Sequence, residues 1–460
     1  MDEQRLRKRN MIMYPLGTVG RDMVYCLVTN FLLTYILFTK GLTAAQLGAI
    51  TAIMVAARVF DALNDPIMGN IIENTHTKWG KYKPWILTGI IAAGILTILL
   101  FVDFGLEGTS YIVVFGVLYV LWGITYTMND IANWSMMPSL SKSQSEREII
   151  GSVARICASV GLFVVVTLVV PITTALAEVV GNLQKAYLVF TIILVGIMWV
   201  FQSITLLGVK EDRSLNQKTE HTTLKELVKI IFKNDQLLVT AISMALFMVG
   251  YMTTTSFGIY YFKYVYGNED MYSIFAVVLG VSQIVAMVSF SFLTKIMKRK
   301  TLYLIATIMV VAGYVIFFFA PNTTMLFIGI AGVLLFIGEA YIQLMMLMFL
   351  TDSVEYGEWK LGKRNGSVTL SIQAFINKFG GAIANGVVGA IVIVSGMKTA
   401  ETAADMTSEG LMIFKIAMMI LPLICIVIGF IIYRTKYILD EEMYTKIVEE
   451  LDARKKTDTR

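Results

Sequence analysis

Long apolar runs separated by short polar breaks follow one another along almost the whole chain. They are bounded by charged or turn-forming residues and lie at 11–38, 44–72, 84–104, 109–139, 150–177, 184–208, 235–264, 271–297, 301–320, 323–352, 366–395 and 411–433. A helix crosses the hydrocarbon core with about 20 apolar residues, so the pattern predicts an all-α integral membrane protein of twelve spanning helices. The longest polar interruption, Lys210 through Asn234, divides the spans six and six. That division predicts two pseudo-symmetric six-helix halves, 1–208 and 235–433, joined by a middle loop at 209–234 and followed by a tail at 434–460.

Composition narrows the class. The 460 residues are 57% hydrophobic and 15% charged, with a mean hydropathy of +0.71, where a soluble domain carries roughly 25% charge. The net charge of +5 does not imply nucleic acid and matters through its placement. With the N-terminus in the cytoplasm, most Lys and Arg fall on the cytoplasmic face, and only Lys40, Lys185, Lys263, Lys398 and Lys415 fall on the other. The asymmetry predicts cytoplasmic termini and a multi-pass protein of the plasma (inner) membrane. Arg5, Arg7, Lys8 and Arg9 precede an apolar stretch without a small-residue cleavage site, which reads as a first span and not as a signal peptide. Cys26, Cys157 and Cys425 lie in hydrophobic stretches and His76 and His221 in polar loops, so no Cys/His metal or disulfide framework is expected and no cofactor is implied.

Against that apolar background stand Arg21, Asp22, Arg58, Asp61, Asp65, Asp130, Arg155, Glu339 and Lys378, all well inside spans. At about 3 kcal/mol each on insertion scales, exposing all of them to lipid exceeds the roughly 5 to 15 kcal/mol that holds a domain folded. They therefore face a shared polar interior. Arg58, Asp61 and Asp65 are spaced i, i+3, i+7, and Thr127, Asp130 and Trp134 repeat the spacing, so each trio shares one helix face. Static ion pairs between helices are one use for such residues. Five acids against four bases leave one negative charge, however, which a bound monovalent cation neutralises. Two carboxylates one turn apart, with Asn64 and Thr127 as further oxygen donors, suit a hard cation such as sodium, and a proton can use the same carboxylates. Trp134 beside Asp130 is either a packing residue or an apolar plane for the C–H face of a sugar whose hydroxyls the carboxylates accept.

Two further features need a reading. Glu339 and Gln343 are i, i+4 on the tenth span, and the spacing leaves three roles for Glu339 open: a sugar-hydroxyl acceptor, a protonatable group, or a hydrogen bond to a neighbouring helix. The run from Gly357 to Lys363 follows the phosphate-loop pattern up to Arg364, where Ser or Thr must ligate magnesium. ATP-driven pumping is not expected.

These residues carry a resemblance. The run Arg58-Val-Phe-Asp61-Ala-Leu-Asn64-Asp65-Pro66-Ile-Met-Gly69, followed by Trp79-Gly80-Lys81-Tyr82-Lys83-Pro84-Trp85, resembles the signature of the glycoside-pentoside-hexuronide:cation symporters, the melibiose permease family of the major facilitator superfamily. Gly20-Arg21-Asp22, the stretch from Trp122 to Asp130 with Trp134, Arg155, the stretch from Asp352 to Lys360, and Gln373 with Lys378 extend the likeness end to end. The resemblance implies the twelve-helix major facilitator fold and a secondary transporter that moves a sugar with a cation by alternating access. It implies a cation site at Asp61, Asp65, Asn64 and Thr127 with Lys378 close by. It implies a sugar site at Asp22, Asp130, Trp134 and Arg155 with Arg21 and Gln373 nearby, and Glu339 and Gln343 are added to that site as candidates. Arg58, Lys81 and Glu358 are the gating candidates. Departures from the melibiose-permease pattern are Arg21 in place of Lys and Gln343 in place of Trp. The expected partners are a small sugar or glycoside, a monovalent cation and the bilayer, with no obligatory protein partner. An intramembrane enzyme is disfavoured by the lack of an intramembrane His, and a sugar sensor by the short stretch after Arg434.

Overall fold

The computed structural model describes residues 3–141, 144–211, 229, 231–321, 324–362 and 366–458. His221, most of the expected middle loop, and Lys363 with Arg364 lie outside the described residues. Among the described residues the named elements are all helices, and twelve helices are long and apolar enough to cross a membrane. The chain forms two compact units, Met1–His221 and Thr222–Arg460.

The first unit holds six of these helices. α1 runs from Glu3–Cys26 through a π-turn at Leu27–Phe31 to Leu32–Thr39; α2 is Ala44–Glu73, α3 Lys83–Phe101, α4 Gly108–Met136, α5 Gln144–Val180 and α6 Leu183–Gly208. α1 packs between α5 and α6, α4 against α2 and α3, and α3 against α6. The α1–α5 contact is close because α5 offers a glycine there: a Cβ on Gly161 would lie 2.2 Å from the Val19 carbonyl oxygen. Thr18 adds a hydrogen bond from its hydroxyl to the Ala154 carbonyl, 2.9 Å.

The second unit repeats the scheme with α7 (Asp235–Tyr261, extended by a π-turn at Phe262–Tyr266), α8 (Met271–Ile296), α9 (Arg299–Phe319), α10 (Met325–Leu361), α11 (Gly366–Val394) and α12 (Ser408–Lys415, a π-turn at Ile416–Ile420, then Leu421–Lys436). α7 packs against α11 and α12, α10 against α8 and α9, and α9 against α12. These are the pairings of the first unit shifted by six helices. A short amphipathic helix, α13 (Glu441–Asp458), lies against α10. Ile447 and Leu451, four residues apart, are its buried face.

Candidate functional site

Two charged clusters share the interface of α1, α2 and α4 in the first unit. The first is centred on Arg21, whose side chain is almost completely buried. Its Nη2 and Nε donate to Asp22 Oδ2 at 2.8 and 3.1 Å, and its Nη1 lies 3.1 Å from Asp130 Oδ1 on α4. The guanidinium carbon sits 5.3 Å from the centroid of the Trp134 ring, one turn along α4 from Asp130. One positive charge is thus held between two negative ones and against an indole face. Burial is unequal: the Arg21 side chain is 2% exposed, Asp22 20% and Asp130 33%. The carboxylates remain reachable by a solute while the cation that fixes them is not. Tyr14, two turns before Arg21, donates to the Asn133 carbonyl at 2.9 Å and holds α1 against α4.

The second cluster is centred on Arg58 and Asp61 of α2, both buried. The Arg58 guanidinium lies 5.5 Å from the Tyr25 ring and 5.9 Å from Trp122, with Nη1 donating to the Tyr25 hydroxyl at 3.4 Å. Tyr25, Trp122 and Tyr126 stack on one another at 4.9 to 6.4 Å, and Trp122 is fixed from behind by its indole N–H to Thr97, 3.0 Å. Asp61 approaches α4 at Gly123, where a Cβ would lie 2.6 Å from Oδ1. With a side chain at this position the carboxylate would have to shift from where it stands. Thr127, one turn beyond Gly123 on the same face of α4, is buried, and Asp65 is half-buried on α2. The Asn64 amide nitrogen is buried with no hydrogen-bond partner among the described residues. Among the described residues no three His, Cys, Asp or Glu converge as a transition metal needs.

Arg155 stands apart from both clusters. On α5 the stripe Ala154, Gly161 and Val165 is buried, while two exposed faces flank it. One is apolar (Ile149, Val153, Ile156, Val160) and suits lipid; the other is polar (Ser152, Arg155, Ser159). An arginine on the polar face lines water, because lipid there would be costly. Arg155 has no hydrogen-bond or ion-pair partner among the described residues.

The remaining expected residues are spread over both units. Arg58, a gating candidate, lies within the aromatic cluster. Lys81 follows Gly80, whose φ of +108° turns the α2–α3 loop toward Glu211; the Lys81 amide donates to that carboxylate at 3.4 Å. Lys83 ties the same loop to the end of α6 through the carbonyls of Leu206 and Val209, 2.8 and 2.6 Å. In the second unit Gln373 and Lys378 are half-buried on α11, Gln343 is half-buried on α10, and Glu358 is half-buried near the end of α10. Glu339 is 1% exposed and lies within hydrogen-bond distance of the Tyr314 hydroxyl in its own unit. Tyr25, Trp122, Gly123 and Tyr126 were given no role from sequence. Their signal was there, since Trp122, Tyr126 and Asp130 recur at four-residue spacing.

Residues 13–441 match the sequence model of the family described as MFS/sugar transport protein. The chain belongs to this family. It is 32% identical over 454 residues to a lactose permease of Lactobacillus delbrueckii subsp. bulgaricus, covering 96% of this chain and 72% of that one. It is 33% identical over 456 residues to a raffinose carrier protein of Pediococcus pentosaceus, covering 96% and 71%. A glucuronide carrier protein homolog of Escherichia coli is 25% identical over 459 residues, covering 98% and 97%. Among solved structures the nucleoside transporter NupG superposes with a TM-score of 0.63 at 13% identity, covering 92% of this chain and 99% of that one, which speaks for the fold alone. The protein is a membrane transporter of the major facilitator fold and not an enzyme. As a multi-pass membrane protein of this family its place in a bacterium is the plasma membrane.

Proposed function

We propose that the protein is a sugar:cation symporter for a neutral glycoside, with sodium as the favoured coupling ion, both termini cytoplasmic, and alternating access as its mechanism. The observation that carries this reading is the Arg21 guanidinium held between Asp22 and Asp130 over Trp134. It leaves two partly exposed carboxylates beside an indole. Carboxylates accept sugar hydroxyls in charge-assisted hydrogen bonds, and the indole covers the sugar's C–H face. The buried Arg21 charge is already matched by these acids, so a hexuronate carboxylate would meet like charge and a neutral sugar is preferred. The names of the lactose and raffinose relatives point the same way.

Cation coupling is supported by local charge. Well inside the spans of the first unit stand Asp22, Asp61, Asp65 and Asp130 against Arg21, Arg58 and Arg155, one carboxylate in excess. A cation at Asp61, Asp65, Asn64 and Thr127 removes that excess, and by linkage the sugar must raise cation affinity by the factor by which the cation raises sugar affinity. Uptake of radiolabelled lactose, raffinose and a glucuronide into vesicles containing the purified protein, with and without an inward sodium gradient, tests the proposal. Sodium-stimulated accumulation of a neutral glycoside supports it. Accumulation of the glucuronide alone, or a driving force from protons alone, replaces it.

A further inference from the structure

The second unit holds a buried carboxyl group outside both charged clusters of the first. Glu339 on α10 is 1% exposed, and its Oε2 has no hydrogen-bond partner among the described residues. Its Oε1 lies 3.3 Å from the Tyr314 hydroxyl on α9. That hydroxyl lies 2.6 Å from Thr254 Oγ1 on α7, which lies 3.2 Å from the Met418 carbonyl oxygen in the π-turn of α12. A single chain of contacts therefore joins four helices.

Counting protons along the chain decides its state. The Met418 carbonyl only accepts, and Pro422, four residues on, has no N–H to give it. Thr254 has one proton and spends it there. The 2.6 Å contact between Thr254 and Tyr314 then needs the Tyr314 proton. Nothing is left for the third contact unless Glu339 itself donates. With Glu339 ionised, two protons must serve three contacts, and one buried acceptor goes unsatisfied beside a bare carboxylate. The titratable groups facing Glu339 among the described residues are Tyr314 from α9 and Tyr251 from α7, with Cys425 of α12 acting on Tyr314. Gln283 of α8 binds the Tyr251 hydroxyl at 3.1 Å, and no charged group of α11 acts on Glu339.

We propose that Glu339 is a proton-binding site: the geometry holds it as the neutral acid, donating to Tyr314, so that one resident proton closes the Glu339–Tyr314–Thr254–Met418 chain. The site is separate from the proposed cation site and does not depend on the coupling ion. It also revises the charge balance. With Glu339 neutral, four acids and four bases remain among the charged residues named as lying well inside the spans. The excess that argues for a cation then lies within the first unit.

Infrared spectra of the purified full-length protein test this, recorded from neutral to alkaline pH for wild type, Glu339→Gln and Thr254→Val. The expected result is a protonated-carboxyl carbonyl band at neutral pH in the wild type that is missing in Glu339→Gln. In Thr254→Val the Tyr314 proton is free to turn to Glu339, so the band should disappear at a lower pH than in the wild type. Thermal melting is the second reading. An acid that is neutral when folded and ionised when exposed loses stability as pH rises, so Glu339→Gln should melt with less alkaline loss than the wild type. A wild-type spectrum without the band at neutral pH overturns the proposal, as does a band that survives in Glu339→Gln.

Discussion

The two units repeat one helix scheme yet treat the most deeply buried charged groups inside their spans differently. In the first, Arg21 and Arg58 are enclosed and matched by carboxylates and aromatic rings; in the second, Glu339 is enclosed with hydroxyls alone. A buried ion is stable when a counter-ion and hydrogen bonds replace its lost hydration. Where no counter-ion is within reach, a proton takes that place. The contrast separates a region arranged to keep charge available to a ligand from one arranged to remove it.

Substitution at the two centres should break or confirm this contrast. Removing Arg21 leaves Asp22 and Asp130 without their shared cation; breaking a fully buried pair costs about 3 to 5 kcal/mol, and the partial exposure of both carboxylates sets this loss at the lower end of that range. Arg21→Gln should therefore melt far below the wild type in detergent, while Glu339→Gln stays close to it. Equal losses would mean that the two centres do not differ in charge.

The next effect is on sugar. Asp22→Asn or Asp130→Asn each gives up charge-assisted hydrogen bonds worth about 1.5 to 3 kcal/mol, so calorimetry should show affinity weakened by at least roughly tenfold. Unchanged affinity in both would separate the carboxylates from the sugar. Gly123→Ala places a methyl carbon 2.6 Å from Asp61 Oδ1, so the carboxylate must move. It should abolish sodium stimulation of binding while leaving sodium-free sugar binding measurable; retained stimulation would show that Asp61 need not stand at Gly123.

Arg155→Ala should change the melting temperature little, within about 0.5 kcal/mol, because the side chain has no partner to lose, and its effect should fall on sugar binding or transport. A large loss of stability would place Arg155 in the packing. The smallest effect belongs to an exposed pair. Lys40 Nζ donates to Asp103 at 2.6 Å, and that hydrogen bond holds the Asp103 carboxyl below its usual range. The contribution is complete at neutral pH and fades as pH falls through that lowered range. At 48% exposure of Asp103, Lys40→Ala should cost no more than a few tenths of a kcal/mol.

The spans were legible because hydrophobic length is a direct record of bilayer thickness. Their ends were less so. The tenth span was expected to stop at 352, yet α10 continues to Leu361 and ends at Gly362 with φ +70°. Its last turns are polar, but they are tied to neighbours: Lys360 Nζ reaches Asp235 at 2.5 Å, and the Trp359 indole donates to Glu450 of α13 at 2.7 Å. α13 itself was expected only as a tail, because Ile447 and Leu451 are too few to signal a helix until α10 is there to cover them. Helix spacing placed Asp61 with Asp65, and Asp130 with Trp134, on common faces. It could not supply the partners across helices, since nothing in the period of one helix says that Arg21 meets Asp130 or that Asp61 fits against Gly123. The π-turn in α12 was likewise invisible, although Pro422 marks the place where the regular ladder loses a donor.

The central claim is that a cation held by the Asp61 carboxylate governs sugar binding. Calorimetric titration of a neutral glycoside into the purified protein, with and without sodium, for wild type and Asp61→Asn, tests it most directly. Sodium should tighten sugar binding in the wild type and have no effect in Asp61→Asn, whose sodium-free affinity stays measurable. Sugar affinity in the wild type that is indifferent to sodium, or a full sodium effect in Asp61→Asn, would contradict it.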